Sequence, residues 1–358
     1  MGLDPAALCE TVRGWSNTLI CVPDATRTVD TPAALRALAK VLGPSAKVLV
    51  GLGLHRTLTL GELDGLQAAW PGPLLQHTPD GCVDHGTLLG IPFHVHPAVL
   101  QAEHLIAVGA VEMHQYAGFS GGHKAVVVGC GGRDTLGALH ARQMVCDPKV
   151  QVGKLQDNPF RGAIDAMGRA LDRQSFALQQ LPDRRWVSGP TQAAFEHAAQ
   201  LLDPWHAHST RYSRVILDVP PSKASNFYQA SRAATYLALS PSPPLLPGAE
   251  LILNAACPEG MGQGSGERAF AELMRQTPFP WQSLLQGDVP QGAGIQRAFM
   301  LARLAKHYRL SVMGCARPEL LQAHGISATS VPPKLTPGTL HVRRPFVQLP
   351  QWAPDAAS

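Results

Sequence analysis

A glycine-rich segment with titratable residues at both ends is the part of the chain best suited to chemistry. Residues 114–124 read HQYAGFSGGHK, with His114 at one end and Lys124 at the other. Glycine lets backbone amides approach a ligand closely, so the segment predicts a cradle for a phosphate or a cofactor. A tight connection with an exposed lysine has the same composition, and the residues alone leave both interpretations open.

Polar residues also follow apolar runs that we predict to be strands. Residues 24–27 (DATR) follow a first short strand, and residues 54–57 (LHRT) follow the run at 46–53. Ligands of doubly wound sheets collect at the carboxyl ends of the strands, so we expect these residues and the 114–124 segment to share one rim. His140, one helix further on, is by itself typical of a core or surface histidine.

Two other patterns suggest sites that we consider weaker. Residues 129–134 (GCGGRD) resemble the start of a dinucleotide fingerprint, but Asp134 stands at the third glycine, where it would repel a pyrophosphate, so a helix start is favoured. Four potential zinc ligands occur close together but match no zinc module, so a structural role or a solvated edge is favoured over a metal site. These four are Cys82, His85, His94 and His96.

The elements that must position these residues alternate between strands and helices, which predicts an α/β fold with mostly parallel sheets. The predicted strands are 46–53, 105–111, 125–130, 213–220, 248–257 and 309–315. The predicted helices are 31–42, 134–145, 158–171, 191–202, 229–239, 267–275 and 294–308.

The length of 358 residues favours two domains. A break at 203–213 precedes a new series of strands and helices. We therefore expect an N-terminal catalytic and cofactor-anchoring domain over 1–206 and a C-terminal α/β domain over 207–330. Residues 331–358 form a C-terminal tail that can pack back on the first domain.

Composition excludes several classes of protein. A net charge of +4, without basic runs interleaved with aromatic residues, does not indicate a nucleic-acid partner. No apolar run reaches the length of a membrane span, and the N-terminal residues do not resemble a signal peptide. The seven cysteines are scattered and contain no CxxC pair, so we expect reduced thiols and a cytoplasmic protein.

Taken in order, the motifs resemble those of the lactate racemase family, whose members carry a nickel-pincer nucleotide. The match begins with DxTR at 24–27 and a GLHRxxT turn at 53–59. It continues with HxxAGFSGGxK at 114–124, NFYQ at 226–229 and CPEGxG at 257–262. The third motif is long and specific, whereas the others are informative mainly through their order and spacing.

The resemblance implies a role for each matching residue around the cofactor. Lys124 resembles the lysine that bears the nickel-pincer nucleotide, and His140 resembles the protein ligand of Ni(II). Gly121 and Gly122 would bind the cofactor in the cradle. Asp24 would lie beside it and orient a histidine. Dedicated maturation proteins would have to supply this cofactor.

The resemblance also implies the reaction, which is inversion of a 2-hydroxy acid at C2 through a 2-oxo acid, by hydride transfer coupled to proton transfer. His55 and His114 resemble the acid/base pair, and bases are needed on both sides of the substrate. The second domain would contribute residues, which places the expected active site in the cleft between the domains. The expected substrate-binding residues are Arg27, Tyr228, Gln229 and Arg232.

Two residues depart from the family pattern. Arg232 stands where the family has lysine, and Met261 stands where it has histidine; the chain is also shorter than a typical lactate racemase. The substrate is therefore lactate or a related 2-hydroxy acid, including one with a larger apolar or a second acidic group. An NAD-dependent 2-hydroxyacid oxidoreductase and a non-catalytic cofactor-binding protein are the alternatives.

Overall fold

A computed structural model describes residues 11–25, 27–202, 204–287, 289–290 and 292–354. The strands are β1 (Thr18–Pro23), β2 (Lys47–Gly51), β3 (Leu74–Gln76), β4 (Val83–Leu88), β5 (Ile91–Val95), β6 (His104–Ala110), β7 (Met113–His114), β8 (Gly118–Phe119), β9 (Gln174–Gln180), β10 (Trp186–Pro190), β11 (Trp205–His208), β12 (Tyr212–Asp218), β13 (Leu245–Asn254), β14 (Arg309–Met313), β15 (Ser327–Ala328), β16 (Thr339–Val342) and β17 (Leu349–Trp352). The α-helices are α1 (Thr31–Leu42), α2 (Leu60–Gln67), α3 (Pro97–Gln101), α4 (Lys124–Val127), α5 (Arg133–Leu139), α6 (Arg142–Val145), α7 (Pro159–Ala170), α8 (Thr191–Gln200), α9 (Phe227–Ala238), α10 (Ser265–Gln276), α11 (Ile295–Ala305) and α12 (Pro318–Gln322).

The chain forms two compact units, and each contains separate segments of the sequence. Unit 1 comprises Met1–Glu112, Phe119–Leu139 and Pro159–Leu202. Unit 2 comprises Met113–Gly118, His140–Asn158 and Asp203–Ser358. Both are α/β units, which confirms the predicted fold class.

Unit 1 is built on a six-stranded sheet with the strand order β10-β9-β6-β1-β2-β3. Neighbouring strands are parallel except at the edge, where β10 runs antiparallel to β9. The central strand β1 is buried along almost its whole length, as expected of a parallel strand covered on both faces. The carboxyl ends of β1 and β2 therefore lie side by side, and the polar residues that follow them meet.

Unit 2 is built on a five-stranded parallel sheet with the strand order β15-β14-β13-β12-β16. Asn226 caps the start of helix α9, because its side chain accepts a hydrogen bond from the backbone amide of Gln229 at 3.0 Å. The amide of Phe227 donates to the carbonyl of Gly260 at 2.8 Å. The NFYQ motif is thus a helix start that is held in part by the CPEGxG loop.

One predicted strand is wrong. Residues 125–130 (AVVVGC) form helix α4 and the turn after it, and none of them joins the six-stranded sheet of unit 1. A short apolar run fits a buried helix as well as a strand, and α4 packs against β1 and β6. The following turn comes close to β2, where a Cβ on Gly51 would lie 2.9 Å from the carbonyl carbon of Gly129.

The remaining predictions are mostly confirmed. Several elements were not predicted, among them strand β9 in the sheet of unit 1 and helix α2. The single helix expected over 134–145 is divided into α5 and α6, because Ala141 has an extended backbone. The other predicted strands and helices are present with ends shifted by a few residues. None of the helices in the described ranges has the length and hydropathy that a membrane-spanning segment needs.

Candidate functional site

In unit 1, the residues after β1 and β2 form a carboxylate–histidine pair. Oδ2 of Asp24 lies 3.0 Å from Nδ1 of His55. The carboxylate side chain is 7% exposed and the imidazole is 46% exposed. A carboxylate accepts hydrogen bonds, so Nδ1 carries the proton in the neutral ring, and Nε2 keeps its lone pair. His55 is thus oriented as a proton acceptor.

The turn that bears His55 is held by its neighbours. Arg56 donates two hydrogen bonds of 2.8 Å to the carboxylate of Glu62, and these are the largest cause of the lowering of the Glu62 pKa to about 2. Glu62 and Thr59 form a capping box at the start of α2. Beside this turn, the backbone amide of Arg27 donates to the carbonyl of Asp24 at 3.2 Å.

The glycine-rich segment turns tightly before Lys124. Gly121 and Gly122 have positive φ angles of 102° and 60°, which glycine adopts without strain. A Cβ on Gly121 would lie 2.3 Å from Oε1 of Gln179, and the amide of Gly122 donates to the same oxygen at 3.1 Å. Both glycines therefore pack closely against protein groups. Lys124 is the half-buried first residue of α4.

In unit 2, His114 is held in the opposite tautomer. Its Nδ1 accepts hydrogen bonds from the backbone amides of Tyr116 at 3.3 Å and Ala117 at 3.1 Å. Because two N–H groups point at Nδ1, the neutral ring carries its proton on Nε2. His114 therefore presents a donor where His55 presents an acceptor.

Tyr116 links His114 to His140 within unit 2. Its ring makes edge-on contacts with both imidazoles, with centroid distances of 5.8 Å to His114 and 5.6 Å to His140. The proposed acid/base residue and the proposed nickel ligand thus share one aromatic neighbour. Burial is the largest cause that raises the pKa of the Tyr116 phenol well above its ordinary value, so the phenol stays neutral.

The predicted substrate-binding residues of unit 2 lie on one side of α9. Tyr228, Gln229 and Arg232 are all half-buried or buried. Nη2 of Arg232 donates to the hydroxyl of Tyr236 at 3.0 Å, and that hydroxyl donates to the carbonyl of Met113 at 3.3 Å. This chain of hydrogen bonds fixes the residue before His114 relative to the helix.

A second link, from Arg297 on α11, holds the residue after His114. Its Nη2 donates to Oε1 of Gln115, and its Nη1 donates to Oγ1 of Thr235 at 2.9 Å. Neither Arg297 nor Tyr236 was predicted from the sequence. Gln115 and Tyr116 lie inside the HxxAGFSGGxK motif, which was their only signal.

The four potential zinc ligands are not brought together. His94 lies 3.6 Å from carboxylate oxygens of Asp84 and Asp134, and Nδ1 of His96 accepts from the amide of Ala98 at the start of α3. Across the described ranges, no three His, Cys, Asp or Glu side chains are grouped so that they could hold a metal ion.

The sequence and the fold can be compared with those of known proteins. Residues 3–153 match the family model of the lactate racemase N-terminal domain. A lactate racemase from Lactiplantibacillus plantarum is 35% identical over 162 residues, which are 42% of this chain and 38% of that protein. A lactate racemase from Thermoanaerobacterium thermosaccharolyticum is 28% identical over 168 residues, which are 43% of this chain and 39% of that protein. These alignments thus span well under half of the length of either relative.

Solved structures extend the comparison to the whole fold. The lactate racemase apoprotein from Thermoanaerobacterium thermosaccharolyticum superposes with a TM-score of 0.83 at 19% identity, covering 98% of this chain and 90% of that one. A protein from Thermotoga maritima superposes with a TM-score of 0.73 at 15% identity, covering 98% of this chain and 96% of that one. The resemblance predicted from the sequence is therefore confirmed: residues 3–153 are similar in sequence to lactate racemases, and almost the whole chain is similar in fold to a lactate racemase apoprotein.

Proposed function

We propose that the protein is a racemase or epimerase that inverts C2 of a 2-hydroxy acid, which is lactate or a related compound. The observation that carries the proposal is the pair of histidines in opposite tautomers. Inversion through a 2-oxo acid requires removal of the hydroxyl proton on one side and its return on the other. His55 offers a lone pair for the first step. His114 offers an Nε2–H hydrogen bond to the oxygen in the second, and its ring can pass this proton on only when Nδ1 is protonated as well.

Asp24 orients His55 as the proton acceptor. When the ring takes up the hydroxyl proton, the buried carboxylate at 3.0 Å stabilises the imidazolium. His114 has its only lone pair on Nδ1, where two backbone amides already donate. In the opposite direction, the His114 ring must therefore release the amides of Tyr116 and Ala117 before it can accept a proton.

The cofactor of this reaction is part of the proposal. A nickel-pincer nucleotide attached to Lys124 and ligated by His140 would supply an acceptor for the hydrogen at C2 when it is bound. The residues fit this group in their chemistry, because a half-buried imidazole is a ligand that Ni(II) accepts together with sulfur donors. Lys124 belongs to unit 1 and His140 to unit 2. Maturation proteins would supply the cofactor, and a small 2-hydroxy acid would be the substrate.

The two alternatives have less support. A dinucleotide fingerprint needs a strand before its glycines, but residues 129–134 follow helix α4. A non-catalytic cofactor-binding protein would have no use for a buried aspartate that orients an exposed imidazole. Two histidines held in opposite tautomers therefore favour a catalytic protein over a non-catalytic one.

Racemisation in D₂O tests the proposed reaction. Protein produced together with the maturation proteins should interconvert the enantiomers of lactate or of a related 2-hydroxy acid, and the product should retain protium at C2. Deuterium at C2 would show that a base removes this hydrogen as a proton, which contradicts hydride transfer. Release of a 2-oxo acid that depends on added NAD would establish the oxidoreductase instead.

The attachment of the cofactor has its own test, which is the mass of the intact protein. The wild type should carry a covalent adduct of nucleotide size, and Lys124→Ala should lack it while remaining folded. Lys154→Ala, at another half-buried lysine, is the matched control and should keep the adduct. An adduct on another residue contradicts the assignment of Lys124.

A further inference from the structure

Arg297 is a buried cation whose described partners carry no negative charge. Its side chain is 2% exposed, and its hydrogen bonds go to the neutral oxygens of Thr235 and Gln115. Its Nε has no hydrogen-bond partner among the described residues. Burial lowers the pKa of Arg297, and the nearby charge of Arg232 acts in the same direction. Within the described ranges, the guanidinium is therefore desolvated without the carboxylate that usually accompanies such a group.

Arg161 in unit 1 shows how this chain otherwise buries an arginine. Its exposure is also 2%, but two of its nitrogens donate to the carboxylate of Asp165 at 2.9 and 2.6 Å. A buried guanidinium without such a partner is strongly destabilising in general. The difference between the two arginines indicates that the negative charge opposite Arg297 comes from a ligand.

The surroundings of Arg297 indicate where that ligand binds. Its guanidinium carbon lies 5.9 Å from the ring centroid of Tyr228, on the helix whose half-buried Arg232 follows one turn later. Gln115, which Arg297 binds, is the neighbour of His114. Arg297 thus lies beside Tyr228, one of the predicted substrate-binding residues, and contacts the neighbour of His114.

We propose that Arg297 is the buried positive charge of a carboxylate site whose accessible part is formed by Arg232 and Tyr228, and that the site takes the carboxylate of the 2-hydroxy acid. Arg297 acts as a positioning residue, through its charge and through Gln115. The planar fork of Arg232 matches the two oxygens of a carboxylate. The identity of the ligand rests on the proposed function, whereas the existence of the anion site rests on Arg297 alone.

Binding to the full chain without cofactor tests the site independently of racemisation. Lactate should raise the thermal midpoint of the wild type, and the rise should saturate as the lactate concentration increases. Chloride at the same ionic strength is the reference. Arg297→Met should weaken lactate binding by about tenfold or more, because its positive charge is lost. In chloride alone, this variant should unfold at the same or a higher temperature, since an apolar side chain replaces an uncompensated charge. Arg297→Lys should retain part of the response.

Arg303→Met is the matched control. Arg303 is on the same helix, is half-buried, and donates to the carbonyl of Val145 at 2.8 Å. Replacement of Arg303 should lower the thermal midpoint of the protein, but lactate should still raise this midpoint as it does in the wild type. In the matured enzyme, Arg297→Met should raise KM about tenfold or more with a smaller change in kcat, whereas loss of a merely structural residue would leave KM unchanged.

Three outcomes would overturn the proposal. One is the absence of any response of the wild type to lactate, and another is an undiminished response of Arg297→Met. The third is a larger response to inorganic phosphate than to lactate, which would assign the site to a nucleotide phosphate. Lactate binding that depends on Arg297 without any racemisation would support the anion site and contradict only the proposed function.

Discussion

The carboxylate of Asp24 lies 3.0 Å from Nδ1 of His55, although 31 residues separate the two in the sequence. The contact exists because β1 and β2 are parallel neighbours, so that the residues after them emerge at the same edge of the sheet. The aspartate is buried and the imidazole is half-exposed. This arrangement fixes the tautomer of His55 and leaves Nε2 to accept a proton.

We expect Asp24→Asn to reduce the rate of racemisation by about 10²- to 10⁴-fold while the protein remains folded. The amide can donate to Nδ1, which favours the tautomer with the proton on Nε2, and it cannot stabilise an imidazolium. The rate is measured by chiral chromatography of the product, and folding by thermal denaturation.

Asp80→Asn is the control for this variant. Asp80 pairs with Arg133 at 2.7 Å on an exposed surface of unit 1, where an ion pair contributes little stability. The racemisation rate of Asp80→Asn should equal that of the wild type. A wild-type rate for Asp24→Asn would remove the aspartate from the mechanism.

His114→Asn and His114→Ala should differ in stability but not in activity. The Asn side-chain oxygen can accept from the amides of Tyr116 and Ala117, as Nδ1 does now. We expect both variants to lose about 10²-fold or more in rate, because neither has a proton donor at the position of Nε2. The Ala variant should also lose about 1 kcal/mol of unfolding free energy, because its amides lose an acceptor.

Urea denaturation of the two variants checks the second part. Equal stabilities would mean that the amides do not depend on Nδ1, and the assigned tautomer of His114 would then lose its support. Full activity of His114→Asn would show that this ring takes no part in proton transfer.

The pairing of Asp24 with His55 shows what the sequence could predict. Apolar runs located the parallel strands, and the rule that their carboxyl ends share an edge brought the two residues together. The same reasoning failed at residues 125–130, because a short apolar run does not distinguish a buried helix from a strand. In the structure, these residues pack against β1 and β6 as helix α4 and its turn instead of joining the sheet.

Arg297 shows what the sequence could not predict. It lies in an amphipathic helix where an arginine ordinarily indicates the solvated face. Its burial depends on Thr235 and Gln115, which lie 62 and 182 residues away. The assignment of His114 and His140 to unit 2 is likewise a consequence of tertiary contacts. Along the chain, the segments that bear these histidines lie between segments that belong to unit 1.

His77 should make the protein less stable in acid. Its side chain is buried in unit 1, and Nε2 lies 3.0 Å from the carbonyl of Gly131. Burial lowers the pKa of His77 from 6.5 to about 4, with a smaller contribution from the charge of His96. The unfolded chain therefore takes up this proton first as the pH falls. Stability is full above pH 6.5 and decreases towards pH 4, by at most about 1.4 kcal/mol per pH unit.

Unfolding free energies between pH 7 and pH 4 measure this effect. His77→Gln, whose amide can still donate to Gly131, should flatten the dependence in this window. The control is His197→Gln, which removes an exposed histidine of α8 and should keep the wild-type slope. An unchanged slope for His77→Gln would assign the acid sensitivity to other groups.

His140 should determine the nickel content of the matured protein. In protein matured with the cofactor, His140→Ala should lower the nickel content by about tenfold or more, because changes beside a metal ligand already cost about 10- to 100-fold in metal affinity and this change removes a ligand. The adduct on Lys124 should persist, because attachment and metal ligation use different residues. Metal analysis and intact mass on the same sample separate the two quantities.

His94→Ala provides the comparison for this experiment. His94 is also half-buried, but it lies in unit 1 between the carboxylates of Asp84 and Asp134, so its loss should leave the nickel content unchanged. Nickel retained in His140→Ala would exclude this residue as the ligand. Nickel lost from both variants would indicate an effect on folding, which the thermal midpoints of the two proteins would reveal, and the ligand would then have to be sought among the other histidines.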